Sequence, residues 1–208
     1  MTPRLVIFDF DGTLADSWPW FLTTLDGTAD RFGLARITPA KADALRGQDT
    51  GAILKQLGVP IWKVPAIAAH LRAEVLRAPP PPLFPGIPEL LRRLARRGIV
   101  TAIASSNSEA QVARTLGGEL LPLIAHRALE ASLFGKPAKL KRLLREAGVA
   151  PADALFIGDE VRDIEAARDA GVAIGAVAWG YASPALLAAR KPDAMFDTPE
   201  AIAEFCRA

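Results

Sequence analysis

One cysteine, Cys206, and two histidines, His70 and His126, are all that 208 residues contain of those two types. A lone thiol cannot close an intramolecular disulfide, so the chain must fold on its own core and suits a reducing compartment. So few thiols and imidazoles also exclude a His/Cys zinc constellation. Long hydrophobic runs are scarce too. The first, Leu5-Val6-Ile7-Phe8, is interrupted by Asp9 and Asp11, too soon for the apolar core of a signal peptide or a membrane span. Excess charge of either sign is also missing, with 25 basic against 23 acidic side chains. The densest basic cluster, Arg92, Arg93, Arg96 and Arg97, has helical spacing and no aromatic residues interleaved for base stacking, which describes a solvated helix face. A cytoplasmic protein with no nucleic-acid and no membrane partner is expected.

What is present fits a globular α/β chain, half of it hydrophobic and long enough for one packed domain with a smaller unit attached. Leu5 to Phe8 reads as a buried strand closed by the turn signal Asp11-Gly12. Helical periods follow over Trp20–Phe32, Pro39–Leu45, Ala52–Leu57 and Val64–Leu76, with breaks at Gly33, Gly47 and Gly58-Val59-Pro60. No convincing strand lies among them. The run Pro79-Pro80-Pro81-Pro82 favours stiff extended backbone and reads as a return linker. Beyond it, helices and strands alternate: helix 88–97, strand 99–104, helix 109–116, a weak strand at 123–125, helix 138–147, strand 154–157, helix 164–170 and strand 173–178. Such alternation predicts a parallel sheet with helices on both faces, whose ligands bind beyond the carboxyl ends of its strands.

Those strand ends carry the chemistry. Asp9 and Asp11 follow the first strand, Ser105-Ser106-Asn107 the second, Lys136 stands in a loop, and Asp159, Glu160 and Asp163 follow a later strand. A hard cation such as Mg²⁺ takes oxygen ligands from one or two carboxylates, waters and a phosphate, and Asp9 and Asp159 can supply the carboxylates. Phosphoryl transfer spreads negative charge over oxygens that need positive charge and donors, here Lys136 and Ser105. One carboxylate can accept the phosphoryl group as an acyl phosphate. A second can move protons for the leaving group and the attacking water. In Asp9-Phe10-Asp11 the two carboxylates share one side of an extended backbone, with Phe10 turned away.

Asp9-Phe10-Asp11-Gly12-Thr13-Leu14 resembles the first motif of the haloacid dehalogenase superfamily. Ser105, Lys136-Pro137 and Gly158-Asp159 with Asp163 match its second, third and fourth motifs in order, and the likeness runs from Arg4 to about Tyr181. The resemblance implies a Mg²⁺-dependent phosphatase acting on a small phosphorylated metabolite, with Asp9 as nucleophile and metal ligand. Asp11 would be the general acid/base, its backbone carbonyl also ligating the metal. Ser105 and Lys136 would hold the phosphoryl group, with Gly12, Thr13, Ser106 and Asn107 around it, and Asp159 and Asp163 would complete the metal site. It also implies a Rossmann-like core, residues 1–14 and 83–208, interrupted by a small all-helical cap, residues 15–82. Trp179-Gly180-Tyr181 resembles the phosphoglycolate phosphatase-like branch. Arg46, in Arg46-Gly47-Gln48-Asp49, stands where related caps carry substrate-recognition loops, and Trp18 and Trp20 lie close to the expected opening of the site.

Each residue also has a plain structural reading. Asp11-Gly12 is a common turn pair, Ser105, Ser106 and Asn107 are all good helix N-caps, and Pro137 after Lys136 suits the first turn of a helix. Only the ordered combination favours chemistry. Ser105 is preferred to Ser106 because it completes the strand. Among related activities, carbon–halogen hydrolysis dispenses with the second aspartate that Asp11 provides. A sugar-phosphate mutase of the β-phosphoglucomutase type carries a cap histidine where this chain has Phe21. Phosphonate hydrolysis needs a cap lysine near the first motif, a place that Lys41, Lys55 and Lys63 do not occupy. A phosphate-binding protein without turnover is the remaining alternative.

Overall fold

In a computed structural model, residues 2–36, 38, 41–42, 54–55, 57–130 and 135–207 are described. Arg46 lies outside the described residues, as does most of the helices expected over Pro39–Leu45 and Ala52–Leu57.

Strand β1, Leu5–Phe8, is apolar at every position and fully buried, which is what a strand covered on both faces requires. Its side chains alternate between the two faces. Val6 and Phe8 join Leu91, Leu94, Ile103 and Ile157 in one core cluster, while Leu5 and Ile7 join Leu140, Leu143, Phe156 and Ile174 in the other. β1 pairs in parallel with β2, Val100–Ala104, on one side and with β4, Ala154–Gly158, on the other. The sheet extends outward through β3, His126–Ala128, beyond β2, and through β5, Ala173–Val177, and β6, Ala194–Phe196, beyond β4. All six strands are parallel, in the order β3-β2-β1-β4-β5-β6. Because the chain leaves β1 for β2 on one side and later returns to β4 on the other, the carboxyl ends of β1, β2 and β4 flank a switch in strand order, where α/β sheets bind ligands.

Helix α1, Trp18–Phe32, ends at Gly33, whose φ of 62° is the left-handed conformation that stops a helix without a Cβ clash. It packs on α2, Val64–Arg77. Within residues 16–82 the described residues contain helix and turn but no strand. The proline run leads to Leu83, which forms a bridge to Ala15, so the two ends of this insertion meet beside β1. Among the described residues after the insertion, the α-helices are α3, Ile87–Arg96; α4, Glu109–Leu120; α5, Gly135–Ala147; α6, Val161–Ala170; α7, Pro184–Ala189; and α8, Pro199–Phe205. On α3 the apolar positions Ile87, Leu90, Leu91 and Leu94 face the sheet. The outward arginines pair with carboxylates, Arg92 with Glu119 and Arg96 with Glu89, each at 2.6 Å. That basic cluster is a solvated helix face.

Two sequence expectations shift. The weak strand expected at Leu123–Ala125 forms instead at His126–Ala128, because Leu121–Leu123 makes a turn of 3₁₀ helix. An edge strand carrying His126 and Arg127 has no apolar signature. The short elements after Ala178, namely α7, β6 and α8, carry little periodicity and are visible only in the structure.

Candidate active site

Asp9 follows the last residue of β1, and its N–H donates to the Ile157 carbonyl of β4 at 2.8 Å, which extends the pairing by one residue. The carboxylate is thereby fixed between two strands at the switch point. Ser105 follows β2 and Asp159 follows β4, so three neighbouring strands deliver three polar side chains to one edge. Lys136 comes from the first turn of α5. Its Nζ lies 2.7 Å from Asp9 Oδ2 and 2.5 Å from Asp163 Oδ1.

Asp159 and Asp163 are wholly buried. Asp159 does not share a helix face with Asp163, because α6 starts only at Val161. Instead, Asp163 Oδ2 turns back and accepts the N–H groups of Asp159, at 3.1 Å, and of Glu160, at 3.0 Å. A carboxylate in the first turn of a helix is favoured by the unpaired N–H groups there. Asp159 is held by the Thr13 hydroxyl on Oδ1 at 2.7 Å and by the Tyr181 N–H on Oδ2 at 2.8 Å. Thr13 thus orients Asp159, whereas the sequence suggests phosphate contact. Gly12 has φ of 75°, and a Cβ on it would stand 2.2 Å from Asp159 Oδ2, so this glycine makes room for the carboxylate.

Oxygens of Asp9, Asp159 and Asp163 lie within 4.8 Å of one another. Two unit charges at that separation repel by about 3 kcal/mol at an effective dielectric of ~20. Lys136 contacts two of these three carboxylates, Asp9 and Asp163, and Arg162 adds a further positive charge nearby, yet the three carboxylates still crowd one another in a buried place. Burial raises the pKa of Asp9, an effect that Lys136 opposes. Asp159 is raised well above the usual carboxylate range, by burial first and then by the Asp163 charge. A divalent cation with oxygen ligands would relieve both the repulsion and the desolvation, so the donor set fits Mg²⁺.

Asp11 sits on the open side of this cluster. Ser17 Oγ donates to its Oδ1 at 2.7 Å and Asn107 Nδ2 to its Oδ2 at 2.8 Å. The single Ser17 proton is committed to Asp11, so the Tyr181 hydroxyl, 2.7 Å away, donates to Ser17. Burial raises the Asp11 pKa. Ser105 is buried and its Oγ accepts the Asn107 N–H at 3.1 Å, while Ser106 is exposed. The N-cap of α4 is neither of these but Ser108, which forms a capping box with Gln111. Ser105 and Asn107 are therefore not engaged in capping, which sequence reasoning left open.

A cavity of about 930 Å³ lies between Asp11 and the helical insertion, lined by Asp11, Trp18, Phe21, Asn107, Arg162 and Tyr181 among others. Trp18 stacks on Phe21, with ring centroids 5.5 Å apart, and meets Tyr181 at a tilt, 5.2 Å away. Both histidines have other company. His70 packs on Phe32, and His126 faces Glu146 at 4.0 Å. Ser17, Gly180 and Lys139 were missed in the sequence. Ser17 and Lys139 lie outside every motif, and Gly180 stands within Trp179-Gly180-Tyr181 without a signal of its own.

Comparison with known proteins accords with this geometry. The sequence pattern of the family described as haloacid dehalogenase-like hydrolase matches residues 6–177. The chain belongs to this family. It is 32% identical over 198 residues to the phosphoglycolate phosphatase of Synechococcus elongatus, covering 94% of this chain and 93% of that one. It is 33% identical over 195 residues to the phosphoglycolate phosphatase of Xanthomonas campestris, covering 86% and 85%. A haloacid dehalogenase-like hydrolase of Streptococcus pneumoniae shares the fold with a TM-score of 0.81 at 20% identity, over 99% of both chains. As a haloacid dehalogenase-like hydrolase of this kind, the protein is a phosphatase acting on phosphoric monoesters. The phosphatases of this family use a metal ion, and the buried aspartate cluster fits one. No described helix is long and apolar enough to cross a membrane.

Proposed function

We propose that the protein is a Mg²⁺-dependent phosphatase that transfers the phosphoryl group of a small monoester to Asp9 and then to water. The observation that carries this reading is Lys136 Nζ set between Asp9 and Asp163, with Asp159 beside them, at the switch point of the sheet. A structural ion pair would need one carboxylate; here Lys136 contacts two and the oxygens of Asp159 stand close to both, which leaves a place for a second cation.

In this mechanism Asp9 attacks phosphorus and the bond to the leaving oxygen breaks as the Asp9–phosphorus bond forms. Asp11 gives its proton to the departing oxygen, a role that suits a carboxyl whose pKa is raised by burial and whose two oxygens are held by Ser17 and Asn107. Water then attacks the acyl phosphate, Asp11 takes the water's proton, and Asp9 leaves as a carboxylate with inorganic phosphate released. Lys136 and the hydroxyl of Ser105 hold the transferring oxygens, with the amide of Asn107 nearby, and Ser106 and the backbone of Gly12 and Thr13 border the same space. Bound by Asp9 and Asp159, with the Asp11 carbonyl facing it and Asp163 in support, Mg²⁺ would supply positive charge to the phosphoryl oxygens.

Residues 15–82 act as a cap over the core formed by 1–14 and 83–208, excluding water and selecting the substrate. Phosphoglycolate is the first substrate to try, given the names of the relatives at 32–33% identity. Phe21 and Trp18, which line the cavity, offer no imidazole for the proton transfers of a mutase. The one thiol, Cys206, is buried, which suits a cytoplasmic setting.

A panel of phosphoglycolate, a sugar phosphate, a nucleoside monophosphate and 4-nitrophenyl phosphate, assayed by kcat/KM with Mg²⁺, tests the reading. Turnover of at least one, lost in excess chelator, is expected. No turnover of any, or full turnover in chelator, would sink it.

A further inference from the structure

Three residues beyond Lys136, on the same helix α5, Lys139 is only 9% exposed, and among the described residues no carboxylate pairs with its ammonium. Its Nζ donates instead to two backbone carbonyls, those of Ser105 and Glu130. Ser105 begins the loop that follows β2. Glu130 lies just beyond β3 and holds a positive φ of 65°, a conformation that costs a non-glycine residue energy and persists only when its surroundings enforce it.

The two segments joined by Lys139 are also joined by backbone bonds. Ser105 N–H donates to the Ala128 carbonyl at 3.1 Å, and Glu130 N–H donates to the Asn107 carbonyl at 2.8 Å. The loop 105–107 therefore has its outer edge fastened to 128–130 at three places, and Lys139 is the only side chain among them. On the inner edge, the same three residues carry the groups that face the site: the Ser105 hydroxyl, which accepts the Asn107 N–H, and the Asn107 amide, which donates to Asp11.

We propose that Lys139 is a positioning residue for the phosphate-binding loop, its ammonium clamping the Ser105 and Glu130 carbonyls so that Ser105 and Asn107 point into the site. Burying an ammonium is costly, and two carbonyl acceptors are a modest return for a group that could sit in water on the outer face of α5. A charge in that place also adds to the positive potential that Lys136 provides for phosphate. Burial, and then the neighbouring charge of Lys136, lower the Lys139 pKa to about 8. The neutral amine keeps two hydrogens, enough for both carbonyls, so the clamp itself survives deprotonation.

The inference rests on the phosphatase reading and is tested with two variants, Lys139→Met and Lys139→Gln. Methionine keeps the length of the chain and removes the donor; glutamine keeps a donor and removes the charge. Two quantities are measured on folded protein: kcat/KM for 4-nitrophenyl phosphate, and the Kd of inorganic phosphate with Mg²⁺ by calorimetry. Misplacing catalytic groups by an ångström costs up to ~100-fold, so kcat/KM in Lys139→Met is expected to fall by about 10- to 100-fold. The phosphate Kd is expected to rise by roughly fivefold, and Lys139→Gln to recover part of both losses.

A lysine that only fills space would lower the melting temperature of both variants and leave kcat/KM and Kd of the folded fraction within about twofold of the parent, which would overturn the proposal. If Lys139→Met does not fold, the donor-free Lys139→Ala takes its place, and kcat/KM and phosphate Kd within about twofold of the parent in that variant overturn the proposal equally. A parent protein that binds phosphate without turning over the ester would refute the hydrolytic reading, and the clamp is then decided by the phosphate Kd alone.

Discussion

The Lys136 ammonium stands 2.7 Å from Asp9 Oδ2, and both groups are nearly closed off from water. Neither charge would be tolerable there alone. Lys136 has its pKa raised because the Asp163 and Asp9 charges more than offset its burial. Removing one partner of a buried pair leaves the other uncompensated, which costs about 3–5 kcal/mol. Lys136→Met is therefore expected to destabilise the metal-free protein on that scale, seen as a lower urea midpoint, with Mg²⁺ recovering part of the loss. An unchanged midpoint in metal-free buffer would show that the three carboxylates are not charged together.

Asp9→Asn keeps the size and most hydrogen bonds of the side chain but removes the proposed nucleophile. Turnover of 4-nitrophenyl phosphate is expected to drop by at least ~10³-fold while the fold persists by circular dichroism. Turnover within tenfold of the parent would move the covalent step to another residue.

Asp9 and Asp159 both carry raised pKa values, so the native state binds protons more tightly there than the unfolded chain. Their contribution to stability is complete below the unfolded value near 4 and is lost as pH rises through the folded value. Mg²⁺ needs the deprotonated form and acts in the opposite direction. The rise in melting temperature on adding Mg²⁺ is thus expected to be larger at about pH 8 than at about pH 5, and to vanish in Asp159→Asn. A shift that is larger in acid, or undiminished in the variant, contradicts this assignment of the metal.

Asp11 is held from two sides, by Ser17 and by Asn107. An acid catalyst matters most when the leaving group is poor. Asn107→Ala is expected to lower kcat/KM by about 100-fold for an alkyl phosphate but only about 10-fold for 4-nitrophenyl phosphate, with Ser17→Ala smaller in the same direction. Equal losses on the two esters would mean that these residues bind phosphate only and do not aim the acid.

Gly180 has no unusual backbone requirement, yet a Cβ on it would stand 2.1 Å from the Asp159 Cβ. Such a clash with a wholly buried neighbour is expected to cost about 1–3 kcal/mol in Gly180→Ala and to weaken Mg²⁺ binding, measured by the Mg²⁺ dependence of turnover. Unaltered Mg²⁺ dependence would show that Asp159 can shift without consequence.

How much of this was legible beforehand depended on the range of the interaction involved. The buried strand Leu5–Phe8, the turn at Gly12, the helix stop at Gly33 and the alternation that dictates a parallel sheet are local, written in apolar spacing and in glycine's freedom of φ. The ordered residues Asp9, Asp11, Ser105, Lys136 and Asp159 were readable because each follows or flanks such an element, and a parallel sheet brings strand ends together whatever the loops do. The short edge elements were not readable, since β3 and β6 are three residues each and owe their pairing to neighbours already in place.

Tertiary structure alone decided which polar side chains serve one another. Thr13 holds Asp159, and Tyr181 reaches Ser17, itself bonded to Asp11, across 164 residues of sequence. Lys139, which in sequence is one more basic residue on an amphipathic helix, lies under the loop 105–107 because α5 packs against β2 and β3. Hydrogen bonds form at a few ångströms between groups whose separation along the chain leaves no periodic trace, so the sequence determined the scaffold and the candidate catalytic set. Only the packed structure determined the partners that orient them.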